Sequence, residues 1–176
     1  DGIYRVDLES GSISEVCRFS TYSLPILGVI GRSFVLTQSD LAYPDPSGDL
    51  ATDALAQPTG TRSHVLLNVD TGETSVLRTY STEDGSLNQT EAYVVDGAYY
   101  MINGNNGTLS SVDADTGEEH KITDQMPKVD IAQYPMCYQI EANLNDWLVF
   151  YNQPIIVNTE TGEVRQRSDL PENYWN

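Results

Sequence analysis

Val112-Asp113-Ala114-Asp115-Thr116-Gly117 is the stretch from which the fold can be read. A β-branched residue or Leu is followed by Asp or Asn, any residue, an acid, Ser or Thr, and Gly. The chemistry is that of a reversal. Gly accepts a positive φ that other residues resist. The short oxygen-bearing side chains bond to nearby backbone amides. The same order recurs as Val6-Asp7-Leu8-Glu9-Ser10-Gly11, Leu67-Asn68-Val69-Asp70-Thr71-Gly72 and Val157-Asn158-Thr159-Glu160-Thr161-Gly162. Gly11 and Gly72 stand 61 residues apart, Gly72 and Gly117 45, and Gly117 and Gly162 45.

The flanks of each turn are strand-like. Ile3-Tyr4-Arg5-Val6 and Val65-Leu66-Leu67 precede two of them, and short mixed stretches such as Glu73 to Leu77 and Glu118 to Ile122 follow. A second hairpin stands upstream in each complete unit. Gly28-Val29-Ile30 turns at Gly31 to Ser33, Ala92 to Val95 turns at Asp96-Gly97, and Tyr138 to Ala142 turns near Asn143 to Asp146. No stretch of ten or more residues has helical spacing with a cap at each end; one helical turn is conceivable near Leu50 to Ala56. A period near 45 with four strands per period is that of a β-propeller blade.

The expected fold is therefore all-β and β-propeller-like, with about three and a half four-stranded antiparallel blades. The boundaries read as a half blade at 1–20, a blade at 21–78 with an insertion at 41–61, a blade at 79–123 and a blade at 124–170. Propellers close with four to eight blades. The expectation is thus a segment of a larger propeller, or a chain that closes by pairing with another. It starts at Asp1 without a Met, as a mature or trimmed chain does.

Over 176 residues, 9 Lys and Arg face 26 Asp and Glu, a net charge of −17. That sign repels phosphate backbones and anionic membrane surfaces, so neither nucleic acid nor membrane insertion is expected. No apolar run is long enough to span a bilayer. The acidity reads first as a solvated surface and second as attraction for a cationic partner or calcium. Cys17 and Cys137, 120 residues apart, read as two separate core residues, with a bridge as the alternative.

Val112 to Glu118 resembles the repeats of quinoprotein-like β-propellers, whose hairpin reads Asp-x-x-Thr-Gly. Tyr4-Arg5-Val6-Asp7-Leu8 is similar to repeats of bacterial propellers related to TolB and of low-density-lipoprotein-receptor-type propellers. The resemblance covers all four turns and implies the fold and a bacterial envelope setting. Quinoprotein-like repeats end their fourth strand on a Trp; no Trp stands there in this chain, and no cofactor is expected.

Candidate chemistry is sparse. The pairs Asp113/Asp115, Asn68/Asp70 and Asn158/Glu160 offer hard oxygens of the kind calcium takes, but they lack the Gly and Glu positions of an EF-hand and recur in equivalent turns, so they read as structural. Ser81 to Gly85 departs from the sialidase Asp-box. His64 and His120 fall on strands of different blades with no nucleophile elbow, and they read as structural. Asn103-Gly104-Asn105-Asn106-Gly107 joins two strands and reads as a turn, since a phosphate loop needs a helix behind it. Asn88-Gln89-Thr90 and Asn106-Gly107-Thr108 are glycosylation sequons. No catalytic or metal-ligating residue is assigned.

Propeller geometry puts the hexapeptide turns and the upstream hairpins on one face. The long segments 41–61, 78–90 and 123–136 all fall on the other, which is the expected binding face. Each blade-to-blade connection carries an aromatic: Tyr22, Tyr80, Tyr134, and finally Tyr174 with Trp175. Tyr43 sits in the insertion with Pro44, Pro46 and Pro58. The ligand-binding set is thus Tyr22, Tyr43, Tyr80, Tyr134 and Trp175, with packing between blades as the alternative. The expected function is non-catalytic recognition or scaffolding outside the cytoplasm, with a protein, peptide or glycan as ligand and the rest of the same propeller as a partner. The alternatives are a carbohydrate-active enzyme, glycosidase or lyase type, with carboxylates at the propeller mouth, and a purely structural segment of a larger ring.

Overall fold

A computed structural model describes residues 2–18, 26–42, 45, 47–49 and 59–169. Strands β1 (Gly2–Val6) and β2 (Ile13–Arg18) form a two-stranded hairpin. Three four-stranded sheets follow, each an antiparallel meander in chain order. The first holds β3 (Ile26–Ile30), β4 (Ser33–Ala42), β5 (Thr59–Asn68) and β6 (Thr74–Ser81). The second holds β7 (Thr90–Val95), β8 (Ala98–Asn103), β9 (Thr108–Val112) and β10 (Glu119–Thr123). The third holds β11 (Ile140–Leu144), β12 (Trp147–Phe150), β13 (Ile155–Asn158) and β14 (Val164–Gln166). Strand β7 contacts β3 on one side and β11 on the other, so the first strands of the three sheets lie together. The fold is all-β and propeller-like.

The four hexapeptides are one structure repeated. Oδ1 of Asp7, Asn68, Asp113 and Asn158 accepts the backbone N–H groups two and three residues on, over 2.7–3.1 Å. The Gly N–H donates to the carbonyl of the same Asp or Asn, with φ between 69° and 74°. The hydroxyl of Ser10, Thr71, Thr116 or Thr161 accepts the N–H two residues on. Asp and Asn are interchangeable because each offers the same oxygen. That oxygen is occupied by amides, which accounts for the recurrence of the acidic pairs without an ion. Asn103 to Gly107 is a fifth version on the opposite face: Gly107 N–H donates to Asn103 O, Asn106 N–H to Asn103 Oδ1, and Thr108 N–H to Asn106 Oδ1.

Alternation of side chains across the strands makes the core. On β8, Tyr99 and Met101 pack with Val35, Leu77 and Tyr80 of the preceding sheet. Tyr100 and Ile102, on its other face, pack with Leu148, Phe150 and Val157 of the following sheet. Leu36, Val65 and Leu67 meet Ile3 and Cys17 of the β1–β2 hairpin. Each fully buried side chain of this size stabilises by about 1.5–3 kcal/mol. The contact of β3 with β7 is close enough to require Gly28, where a Cβ would come 2.6 Å from Val94 Cβ.

Three expectations change. Tyr80 belongs to β6 rather than to the connection after it. The insertion begins as strand: β4 and β5 lengthen to ten residues, pairing Leu41 with Gly60 and Ala42 with Thr59. Lengthened β5 carries β6 with it as far as Ser81, opposite Thr61. The connection that follows holds a single helical turn, α1 (Ser86–Gln89). A second short helix, of the 3-10 type, follows β14 at Arg167–Asp169. The turn considered near Leu50 to Ala56 lies outside the described residues. Cys17 and Cys137 are unbonded thiols, both half-buried.

Candidate binding face

The long connections meet at one end of the sheets, tied by backbone hydrogen bonds. Thr82 N–H donates to Gly60 O, Gly104 N–H to Gln89 O, Val129 N–H to Gly104 O, and Met126 N–H to Gly107 O, at 3.0–3.1 Å. The hexapeptide turns gather at the other end with the two-residue turns. There Val69 N–H donates to Arg32 O, Arg32 forks onto Asp70, and Thr159 N–H donates to Asp146 O.

The connection from β10 to β11 is the most elaborately held. Glu91, at the start of β7, reaches across it. Its Oε1 accepts Cys137 N–H and its Oε2 accepts Tyr138 N–H, both at 3.2 Å, and the Tyr93 hydroxyl donates to Oε2 at 2.8 Å. Burial, then the nearby Glu91 charge, pushes the Cys137 thiol up to about 11, so it stays protonated at neutral pH. The same two causes raise the Tyr93 phenol. Tyr138 donates to Pro127 O from a fully buried position. Tyr134 N–H donates to Asp130 O. Met136, at φ 61°, exposes its carbonyl to Asn152 Nδ2 at 2.7 Å. Tyr151 N–H donates to Gln139 O at 2.8 Å.

Three large side chains beside these anchors are exposed to solvent. Tyr134 is 59 % exposed, Met136 60 % and Tyr151 64 %. A positive φ at a non-glycine residue is sparsely populated and persists because the surroundings fix it. Here those surroundings are the Glu91 carboxylate and Asn152. The face is pre-organised, which lowers the ordering cost of taking a ligand.

Of the aromatics singled out in the sequence, Tyr134 stands on this face. Tyr80 does not: it is 6 % exposed, its ring turned into the contact between the first two sheets. Tyr22, Tyr43, Tyr174 and Trp175 lie outside the described residues. Met136 and Tyr151 escaped sequence reading. Tyr151 had one available signal, its place one residue past the buried run Leu148 to Phe150, where the strand ends.

Three buried titratable groups, His64, Tyr80 and Tyr99, form a separate cluster. His64 Nδ1 lies 2.5 Å from the Tyr99 hydroxyl, which lies 2.7 Å from that of Tyr80. Burial, and next the Arg62 charge, lower the His64 imidazole to about 4, so it is neutral at pH 7. Burial pushes Tyr80 up to about 12 and Tyr99 higher still. All three are at most 6 % exposed, which makes them packing groups rather than a site. His120, on β10, is exposed.

Among the described residues, no group of three or more His, Cys, Asp or Glu converges as a metal site. No described helix is long and apolar enough to cross a membrane. The chain matches no protein-family model and no curated protein.

Proposed function

We propose that the chain is a non-catalytic recognition or scaffolding module, whose loop-rich face takes a protein, peptide or glycan on Tyr134, Met136 and Tyr151. The observation that carries this reading is the exposure of Tyr134 and Met136 on a connection bonded by Glu91, and of Tyr151 on the β12–β13 connection bonded to Gln139. Aromatic and Met anchors bury much area for few rotatable bonds and dominate binding where they cluster. The resemblance of the hexapeptide turns to quinoprotein-like, TolB-like and receptor-type propeller repeats supports a place outside the cytoplasm, within a larger ring.

A peptide and glycan array probed with the wild-type chain and with a Tyr134→Ala/Tyr151→Ala variant tests the reading. Both rings are exposed, so the melting temperature should hold. Ligands retained by the wild type should weaken at least tenfold in the variant, about 1–2 kcal/mol per anchor. Equal retention by both proteins would remove this face from the reading.

A further inference from the structure

The repeat supplies an internal control for the cluster of His64, Tyr80 and Tyr99. Counted from the hexapeptide, His64 stands four residues before Asn68, as Leu109 stands four before Asp113. Tyr99 stands opposite Val112, as Leu148 stands opposite Val157. Leu109 and Leu148 are both fully buried in the contact between the second and third sheets. His64 and Tyr99 meet in the contact between the first and second. The same two places of the repeat thus hold a titratable, hydrogen-bonded pair in one joint and two leucines in the next. The joints differ in bulk as well. Met126, Ile131 and Tyr138 of the β10–β11 connection are buried in the second joint, and Glu91 bonds that connection to β7. In the first, Val35, Leu77, Met101 and Val112 surround the polar cluster.

A proton on His64 puts a charge inside this enclosure. Arg62 stands two residues away on β5, and Arg78 stands opposite His64 on β6. Glu119 of β10 is engaged by Arg78 at 2.8 Å. Thr37, opposite on β4, and the Tyr80 and Tyr99 phenols bring no charge. Among the described residues, no carboxylate bonds to His64. Burial, and next the Arg62 charge, already lower the imidazole from 6.5 to about 4. A buried charge without a counter-charge is relieved by water, and parting the two sheets admits it. We propose that the contact between the first and second sheets is an acid-released joint. Protonation of His64 parts the first sheet from the second, whereas the second and third stay together with the Glu91-bonded connection between them.

The three methionines report on three environments. Met101 lies in the first joint at 8 % exposed, Met126 in the second at 3 %, and Met136 in solvent at 60 %. Dilute hydrogen peroxide converts an accessible thioether to the sulfoxide. It is applied at pH 7 and at pH 4, and the three sulfoxides are followed by peptide mass spectrometry. Met136 should react at the same rate at both, and Met126 slowly at both. Met101 should react slowly at pH 7 and on the order of a hundredfold faster at pH 4, the factor that a fall from 6.5 to about 4 allows there. His64→Leu/Tyr80→Phe/Tyr99→Phe gives the first joint the apolar chemistry of the second and should keep Met101 slow at pH 4. His64→Gln should do the same, and takes its place if the triple variant fails to fold. A Met101 that stays slow in the wild type at pH 4 overturns the proposal. So does a rise that Met126 shares, which is general unfolding, and so does a rise that persists in the folded variants.

Discussion

The phenol oxygen of Tyr99 on β8 lies 2.5 Å from Nδ1 of His64 on β5, joining two sheets at the centre of their contact. The imidazole is neutral, and its Nδ1, the Tyr99 hydroxyl and the Tyr80 hydroxyl form one chain of hydrogen bonds with Tyr99 in the middle. The chain of bonds satisfies three polar groups that burial would otherwise penalise by about 1–3 kcal/mol each. The rings of His64 and Tyr80 also meet edge to face at 5.2 Å.

Protonating His64 breaks this arrangement. The unfolded imidazole takes its proton near 6.5 and the folded one near 4. Between those values the unfolded state binds more protons, so stability is complete above about pH 6.5 and falls as the pH drops to 4. The loss approaches about 3 kcal/mol, from about 1.4 kcal/mol per pH unit. Urea unfolding from pH 7 to 4 should show it, and His64→Gln should flatten that limb. A wild-type curve that is flat over this range would show that the imidazole is not held neutral.

Tyr99→Phe strands both its neighbours, leaving the Tyr80 hydroxyl and His64 Nδ1 without the partners they have now. Tyr80→Phe removes only the hydroxyl at the end of the chain of bonds. The first should cost about 2 kcal/mol and the second about 1. Equilibrium denaturation of the two single variants measures the order, and a larger loss at Tyr80 would contradict it.

The turn carboxylates titrate in a lower window. Backbone and hydroxyl donors from Thr116 hold Asp113 below the ordinary carboxylate value, and Ser10 does the same for Asp7. Their contribution is present above the unfolded value of 3.8 and is lost as the pH falls through the folded one. Asn68 and Asn158 make the same bonds with no charge. Asp113→Asn should therefore keep the melting temperature at pH 7 and lessen its decline below about pH 4. Asp113→Ala should lower it at both. Calorimetry on the two variants separates these outcomes.

The four turns were legible in the sequence because every bond that makes them lies within six residues. Asp or Asn, Ser or Thr, and Gly at fixed spacing define both the positive φ and its hydrogen bonds without reference to the rest of the chain. Asn103 to Gly107 has the same geometry and follows β-branched Ile102, but Asn105 and Asn106 stand where the motif has an acid and Ser or Thr, so only coordinates show its kinship. Tyr80 could not be placed locally, because β6 ends where the lengthened β5 stops offering a partner. The segments of Met136 and Tyr151 are related only through Asn152 and Gln139, contacts that sequence patterns do not show. The β1–β2 hairpin was legible as a pair of strands around its turn, whereas the exposure of Tyr4 and Val6 on it needed coordinates.

The equivalent glycines are not equivalent in what surrounds them. A Cβ on Gly72 would stand 2.7 Å from the carbonyl oxygen of Val16, and one on Gly162 would stand 2.3 Å from that of Ile122. In both cases the turn of one blade is pressed on the last strand of the blade before it. A Cβ on Gly117 would meet nothing within 4 Å. All three glycines hold φ between 72° and 74°, so Ala at any of them carries the left-handed penalty of about 1–2 kcal/mol. At Gly72 and Gly162 the collision with backbone adds about 1–3 kcal/mol, because a main-chain carbonyl cannot swing aside as a side chain does. Gly117→Ala should therefore be the mildest of the three, and Gly117→Asn milder still, since Asn tolerates this region. Thermal denaturation of the three Ala variants measures the order. Equal losses at Gly72, Gly117 and Gly162 would mean that the turns do not touch the neighbouring blades, and that the blades pack through their core side chains alone.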